Sequence, residues 1–113
     1  MGSNDRQAAH IQWASQRLQG LLSTVRFSPI LWSQDIKGRG IFYMNRLACG
    51  ETALTAEELT KELKDIESKT GRTKQQVTID LDLMLYDSTR YHLNDWNRDY
   101  FIKLMDKVKD IDY

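Results

Sequence analysis

Apolar residues recur at helical spacing over residues 6–22, where Ala8, Ile11, Ala14, Leu18 and Leu21 share one side of a 3.6-residue helix. Asn4 and Asp5 stand just before it, and their side chains suit the free N–H groups of a first helical turn, so both are expected N-caps. Residues 24–32 are rich in Val, Phe, Ile, Leu and Trp and contain Pro29. Proline cannot donate to a sheet ladder, which predicts an edge strand. Residues 34–40 carry Gly38 and Gly40 without periodicity and predict a loop. A second strand is expected over 41–49, with Tyr43, Asn45 and Leu47 on one face and Phe42, Met44 and Ala48 on the other.

The clearest helix start follows. Thr55 with Glu58 three residues later is a capping box, and Leu54 with Leu59 forms a hydrophobic staple. Leu59, Leu63 and Ile66 continue the apolar stripe, and Gly71 is placed to end the helix. Residues 77–86 alternate as a third strand: Val77, Ile79, Leu81, Leu83 and Leu85 face the helices, while Thr78, Asp80, Asp82, Met84 and Tyr86 face away. Asn94 is then the expected cap of a last helix that buries Phe101, Leu104, Met105 and Val108, with residues 107–113 fraying.

This order predicts an α+β fold, a ferredoxin-like split β-α-β sandwich with an antiparallel sheet and helices on one face. Only Met1 to Asn4 precede the first helix, so the first strand is expected to be truncated. It is encoded further upstream, or is very short, or is supplied by another chain through self-association of the incomplete sheet.

At 113 residues the chain suits a single domain over 1–113, and its 41% hydrophobic content is that of an ordered globular protein. Sixteen basic residues balance sixteen acidic ones, so no bulk basic surface points to nucleic acid. No apolar run approaches the ~20 residues of a membrane span, and no signal-peptide core is visible. One cysteine, Cys49, forms no internal disulfide and is expected as a small buried hydrophobe, which points to a cytoplasmic protein.

Asp80 and Asp82 lie two apart on an otherwise apolar strand, so their carboxylates project the same way with Cα atoms ~6.5–7 Å apart. Like charges this close repel unless a cation intervenes, and paired carboxylates on a rigid element suit Mg²⁺ beside substrate phosphates. Two solvated acids on an open sheet face are the alternative. Arg72 and Lys74 complement a helix C-terminus or neutralise a triphosphate. His92, near Arg90 and Arg98, is a solvated loop residue or a phosphate contact. Tyr43 and Asn45 share a face, where an amide reads the edge of a planar heterocycle and an aromatic covers its ring, or both serve only the sheet surface. No Walker loop, dinucleotide fingerprint or HExxH motif occurs.

Taken together, these segments resemble the 6-hydroxymethyl-7,8-dihydropterin pyrophosphokinases of folate biosynthesis. Gly2-Ser3-Asn4 is similar to the family's Gly-Ser-Asn after its first strand, and Ile41-Phe42-Tyr43-Met44-Asn45 to its aromatic strand ending in Asn. Leu54-Thr55-Ala56-Glu57-Glu58-Leu59, Ile66-Glu67 and Gly71-Arg72 resemble its helix and closing Gly-Arg. Thr78-Ile79-Asp80-Leu81-Asp82-Leu83-Met84-Leu85-Tyr86 resembles the signature strand nearly residue for residue. The resemblance implies that Asp80 and Asp82 bind two Mg²⁺ ions with ATP. It implies pterin contacts from Ser33, Ile36, Tyr43, Asn45 and Tyr100, and ATP contacts from Glu67, Arg72, Lys74, His92 and Arg98. Arg72 joins the two aspartates as an expected catalytic group.

The implied reaction is attack of the pterin hydroxymethyl oxygen on the β-phosphorus of ATP, releasing AMP. Only residues 73–77 bridge Arg72 and Thr78, and Gln76-Val77 stand where the family has Pro-Arg, which implies a weakened ATP clamp and weak activity. The alternatives are a catalytically lapsed relative that binds pterin or nucleotide, or serves protein interaction, and an unrelated ferredoxin-like domain whose acids are solvated.

Overall fold

The structure is a computed structural model that describes residues 1–34, 40–71, 73 and 76–110, with the side chains of the last two left aside. Its first strand, β1 (Gly2–Ser3), precedes helix α1 (Gln7–Leu21). Strands β2 (Ser23–Phe27), β3 (Leu31–Gln34), β4 (Phe42–Asn45) and β5 (Ala48–Glu51) follow, then helix α2 (Ala56–Ser68). The hairpin β6 (Leu85–Tyr86) and β7 (Thr89–Arg90), a 3₁₀ turn at Leu93–Asn97 and helix α3 (Asp99–Asp110) complete the order. The fold is thus mixed helix and antiparallel sheet, as expected for an α+β chain.

Two predicted strands are each broken in two. Residues 24–32 divide at Pro29 into β2 and β3, and residues 41–49 divide after Asn45 into β4 and β5. Each break marks a change of partner. One sheet runs β1–β4–β3 and the other pairs β2 with β5, so the chain leaves one ladder to join another. Ser28 closes the corner, its amide donating to Leu47 O and its hydroxyl accepting from Leu47 N. A proline suits that corner because it cannot donate to either ladder.

The first strand is very short, and it is paired on both sides. Gly2 lies opposite Asn45 and Ser3 opposite Met44 in β4, while Gly2 exchanges both backbone bonds with Asp80, at 3.0 and 2.8 Å. The backbone rows whose lack of a partner motivated self-association are therefore filled within the chain.

Residues 77–86 differ most from expectation. They form no continuous ladder: Asp80 bridges Gly2, and regular pairing resumes only at β6. Side chains and neighbouring loops take the place of a strand partner. Val77 N donates to Asn4 Oδ1 at 2.8 Å, Leu81 N to Glu67 Oε2 at 2.7 Å, and Leu81 O accepts from Lys64 Nζ at 3.1 Å. Buried backbone groups must be satisfied, and here α2 supplies two of the partners. Val77, Ile79 and Leu81 are buried as expected, but Thr78, expected to face away, is buried with them, and Leu85, expected to face the helices, is exposed.

The core joins Ile11, Ala14 and Leu18 of α1 with Leu59, Leu63 and Ile66 of α2, over Met44, Ile79 and Leu81. The third helix takes the other side of β4: its Tyr100 and Phe101 line the same cleft as Tyr43 and Asn45. Helices therefore cover both faces, against the expectation of one.

The capping box of α2 is present, with Thr55 N donating to Glu58 Oε1 at 2.9 Å and Glu58 N to Thr55 Oγ1 at 3.2 Å. Gly71, three residues beyond the helix, takes φ 73°, the left-handed region that glycine occupies without penalty. The other two caps differ from expectation. Arg6, with φ 43°, precedes α1, and Asn4 is committed to Val77 instead. Asn94 falls inside the 3₁₀ turn, which starts from His92 at φ 54°. Helix α3 continues to Asp110 with Val108 buried, so the fraying expected from residue 107 is absent among the described residues. Most of the expected loop over 34–40 lies outside the described residues. Cys49 is half-buried rather than buried.

Candidate active site

A cleft of about 190 Å³ opens over the side of β1 and β4 away from the core. Ser33, Tyr43, Asn45, Asp80, Asp82, Arg98 and Tyr100 all line it. Residues from β3, β4, the 77–84 segment and the start of α3 are thus brought to one place from across the sequence.

The pairing explains how. Asn45 and Asp80 both lie opposite Gly2, one on each flank of β1. Residues directly opposite across a ladder share a face, so these two side chains emerge on the same side as Gly2. The Asn45 amide is held across β3 and β4, donating to Ser33 Oγ at 2.8 Å and to Leu31 O at 3.1 Å. A Cβ on residue 2 would come within 3.2 Å of Asn45 Oδ1, so a glycine keeps the floor open there. The Tyr43 hydroxyl accepts from Asn4 Nδ2 at 3.3 Å, which ties its ring to the β1–α1 turn.

On the opposite wall, Arg98 lies over the Tyr100 ring, 4.6 Å from its centroid, and 3.9 Å from Asp95. Burial raises the Tyr100 phenol above its ordinary value and the Arg98 charge opposes the shift in part, so the hydroxyl stays neutral at physiological pH. Trp96 packs edge-on to Phe101 at 4.8 Å and donates to Tyr91 O, which fixes the turn carrying Asp95.

The acidic end of the cleft is more crowded than a pair of solvated aspartates. Asp82 Oδ1 lies 3.2 Å from Lys64 Nζ and 3.7 Å from His92 Nε2. Lys64 reaches Glu67 at 3.1 Å as well. Burial opposes the charge of Lys64, but hydrogen bonding to Glu67 and the charges of Asp82 and Glu67 outweigh it and raise its pKa.

Glu67, an expected ATP contact, is buried and does not line the cleft; its carboxylate anchors Leu81 N. His92 is near Asp82 but outside the cleft lining. Ile36, Arg72 and Lys74 lie outside the described residues. Three participants escaped sequence reasoning: Lys64, Asp95 and Arg46. For Lys64 the i,i+3 spacing to Glu67 was the available signal. Arg46 is a cleft residue held by Ser28 O at 2.9 Å and stacked on Phe27, a placement that only the chain's turn after β4 reveals.

Asp80 and Asp82 offer hard carboxylate oxygens to the cleft, the donor type that Mg²⁺ takes in ones and twos beside substrate phosphates. No group of three or more His, Cys, Asp or Glu converges among the described residues. The donor set therefore fits an ion whose coordination a nucleotide completes, rather than a closed protein cage. The Lys64 ammonium beside Asp82 shows that this position accepts a cation.

The scaffold is an α+β one, with a polar cleft that carries paired carboxylates at one end and aromatic and amide groups at the other. The chain matches the model of the family described as 7,8-dihydro-6-hydroxymethylpterin-pyrophosphokinase (HPPK) over residues 1–110, and it belongs to that family. This is a family of transferases, the pyrophosphokinases of the folate pathway. Searches of curated proteins and of solved structures found no match. No helix among the described residues is long and apolar enough to cross a membrane.

Proposed function

We propose that the chain transfers pyrophosphate from ATP to 6-hydroxymethyl-7,8-dihydropterin, releasing AMP, as one domain over 1–113 with a ferredoxin-like split β-α-β core. The observation that carries this reading is the convergence of seven expected site residues on one cleft. In the reading, the pterin lies between the Tyr43 and Tyr100 rings with the Asn45 amide at its edge. Ser33 holds that amide in orientation. Asp80 and Asp82 hold Mg²⁺, which when bound neutralises and aligns the phosphates. Arg98 adds a fixed positive charge near the departing AMP, and Arg72, Lys74 and His92 are assigned to the same triphosphate. The hydroxymethyl oxygen bonds to the β-phosphorus as the bond from that phosphorus to the α-bridging oxygen breaks, and the hydroxyl proton leaves to solvent. Positioning and electrostatics supply most of such catalysis. The lone cysteine fits a reducing compartment, and the activity is assigned to the cytoplasm.

One observation favours a second reading, a lapsed homologue that binds pterin or nucleotide without turnover. Val77, which stands where the resemblance places an Arg, has an apolar side chain that carries no charge and packs inside instead. Incubation with Mg²⁺, ATP and the hydroxymethyl-dihydropterin separates the two. Production of AMP that Asp82→Ala abolishes supports the enzyme. Pterin binding by calorimetry with no AMP above blank supports the lapsed homologue and refutes the enzyme.

A further inference from the structure

Lys64 sits in a cage of three oxygens. Its ammonium lies 3.1 Å from Glu67 Oε2, 3.1 Å from Leu81 O and 3.2 Å from Asp82 Oδ1. An ammonium carries three donors, so each proton has one acceptor. The cage is built from two elements: α2 supplies the lysine and Glu67, and the extended segment supplies Leu81 and Asp82. Glu67 is itself fixed by Leu81 N at 2.7 Å, so the lysine is held against a stiff support rather than left to range over the surface. One member of the cage is a carboxylate of the cleft.

We propose that the Lys64 ammonium is the resident counter-cation of Asp82 and competes with a divalent ion for that carboxylate, so that Lys64 sets the divalent-cation affinity of the site. The inference rests on the reading of Asp80 and Asp82 as the ion's ligands and adds the residue that tunes them. Two cations cannot share one carboxylate oxygen at contact distance without repulsion, and the approaching ion carries two charges. While Lys64 holds Asp82, the ion faces a neutralised ligand. Swinging the lysine out frees Asp82 and also releases Leu81 O, so ion binding and the hold of α2 on the acidic segment are linked. Lys64 is half exposed and screened by water, so the penalty on the ion is about tenfold in affinity rather than thousands.

The test is Mn²⁺ binding to the full chain by electron paramagnetic resonance, with and without α,β-methylene-ATP, for the native protein and for Lys64→Met, Lys64→Arg and Asp82→Asn. Lys64→Met keeps the aliphatic stem and removes the charge; it should bind Mn²⁺ about tenfold more tightly. Lys64→Arg restores a cation and should return affinity to within about threefold of native, which a packing role alone would not produce. Unchanged or weaker Mn²⁺ binding by Lys64→Met overturns the proposal. The Asp82→Asn arm separates the two ideas. If it loses Mn²⁺ while Lys64→Met equals native, only the lysine's role fails; if it binds Mn²⁺ as native does, the acids are not the ligands and both fail. Should Lys64→Met not fold, the native protein still decides: the Lys64 ¹⁵Nζ resonance must shift on addition of Mg²⁺ with the ATP analogue, and a resonance that stays put overturns the proposal.

Discussion

Glu67 offers the sharpest test of how the acidic segment is held. Its carboxylate is buried, accepts from Leu81 N at 2.7 Å and also contacts Lys64. A hydrogen bond to a charged group contributes about 1.5–3 kcal/mol, and a buried amide left without a partner costs about 1–3 kcal/mol. These overlap as descriptions of one loss, so Glu67→Ala should cost about 3 kcal/mol. The Lys64 pairing is half exposed and adds no more than about 1 kcal/mol. Glu67→Gln keeps an acceptor oxygen for Leu81 while removing the charge, and should cost about 1 kcal/mol. In a chain of 113 residues the alanine variant should melt about 10 °C lower, with the glutamine variant much closer to native. Urea unfolding followed by circular dichroism, with a thermal melt alongside, measures both. If Glu67→Ala stays within about 1 kcal/mol of native and matches Glu67→Gln, the anchoring argument is refuted. Native stability combined with lost ATP binding would return Glu67 to the role of a nucleotide contact.

Thr55→Ala removes the cap of α2 and should destabilise by about 1 kcal/mol in the same unfolding assay. The Thr55 amide and hydroxyl hold the Glu58 carboxyl below the usual glutamate range. A lowered folded pKa means that this contribution is complete above the ordinary glutamate value and is lost as pH falls through the folded one, so the cost of Thr55→Ala should shrink on acidification. Ile79 is fully buried between the two helices, and Ile79→Ala should cost about 2–5 kcal/mol by urea titration, a value that an exposed position would not reach. Ser33→Ala removes an acceptor that orients the Asn45 amide and should weaken pterin binding by calorimetry about three- to tenfold, with Asn45→Ala weaker still.

Local chemistry was legible and partnership was not. The capping box at Thr55 and Glu58 needs only residues three apart, so the chain itself determines it. Periodicity alone places Ile11, Ala14 and Leu18 of α1 and Leu59, Leu63 and Ile66 of α2 in the core, although Ala8, expected on the same stripe, is exposed at the first turn. The divisions at Pro29 and after Asn45 depend on which strand lies alongside, and β propensity reads through such a change of partner without marking it. The same holds for residues 77–86. Their alternation correctly put Ile79 and Leu81 inside, but several of their backbone groups are met by side chains of Asn4, Glu67 and Lys64, contributed from far along the chain. Asp80 and Asp82 stood out because acids are rare on an apolar strand, whereas Lys64 looked like any surface lysine until α2 was laid beside Asp82.

The cleft depends on the shortest strand in the larger sheet. Gly2 is the cross-strand neighbour of both Asn45 and Asp80, so one residue sets the separation between the amide end and the acidic end. Two inter-strand spacings put the Cα atoms of those residues about 9.6 Å apart. Two residues suffice for this because the pairing is reinforced on every side. Met1 and Arg46 exchange both backbone bonds beyond the end of the ladder, and Asn4 bonds to Val77 through both backbone and side chain. A strand with a side chain at position 2 would crowd Asn45. The Gly-Ser-Asn run therefore does three jobs in sequence: Gly2 spaces the cleft, Ser3 is buried on the core side, and Asn4 ties the acidic segment to the turn before α1.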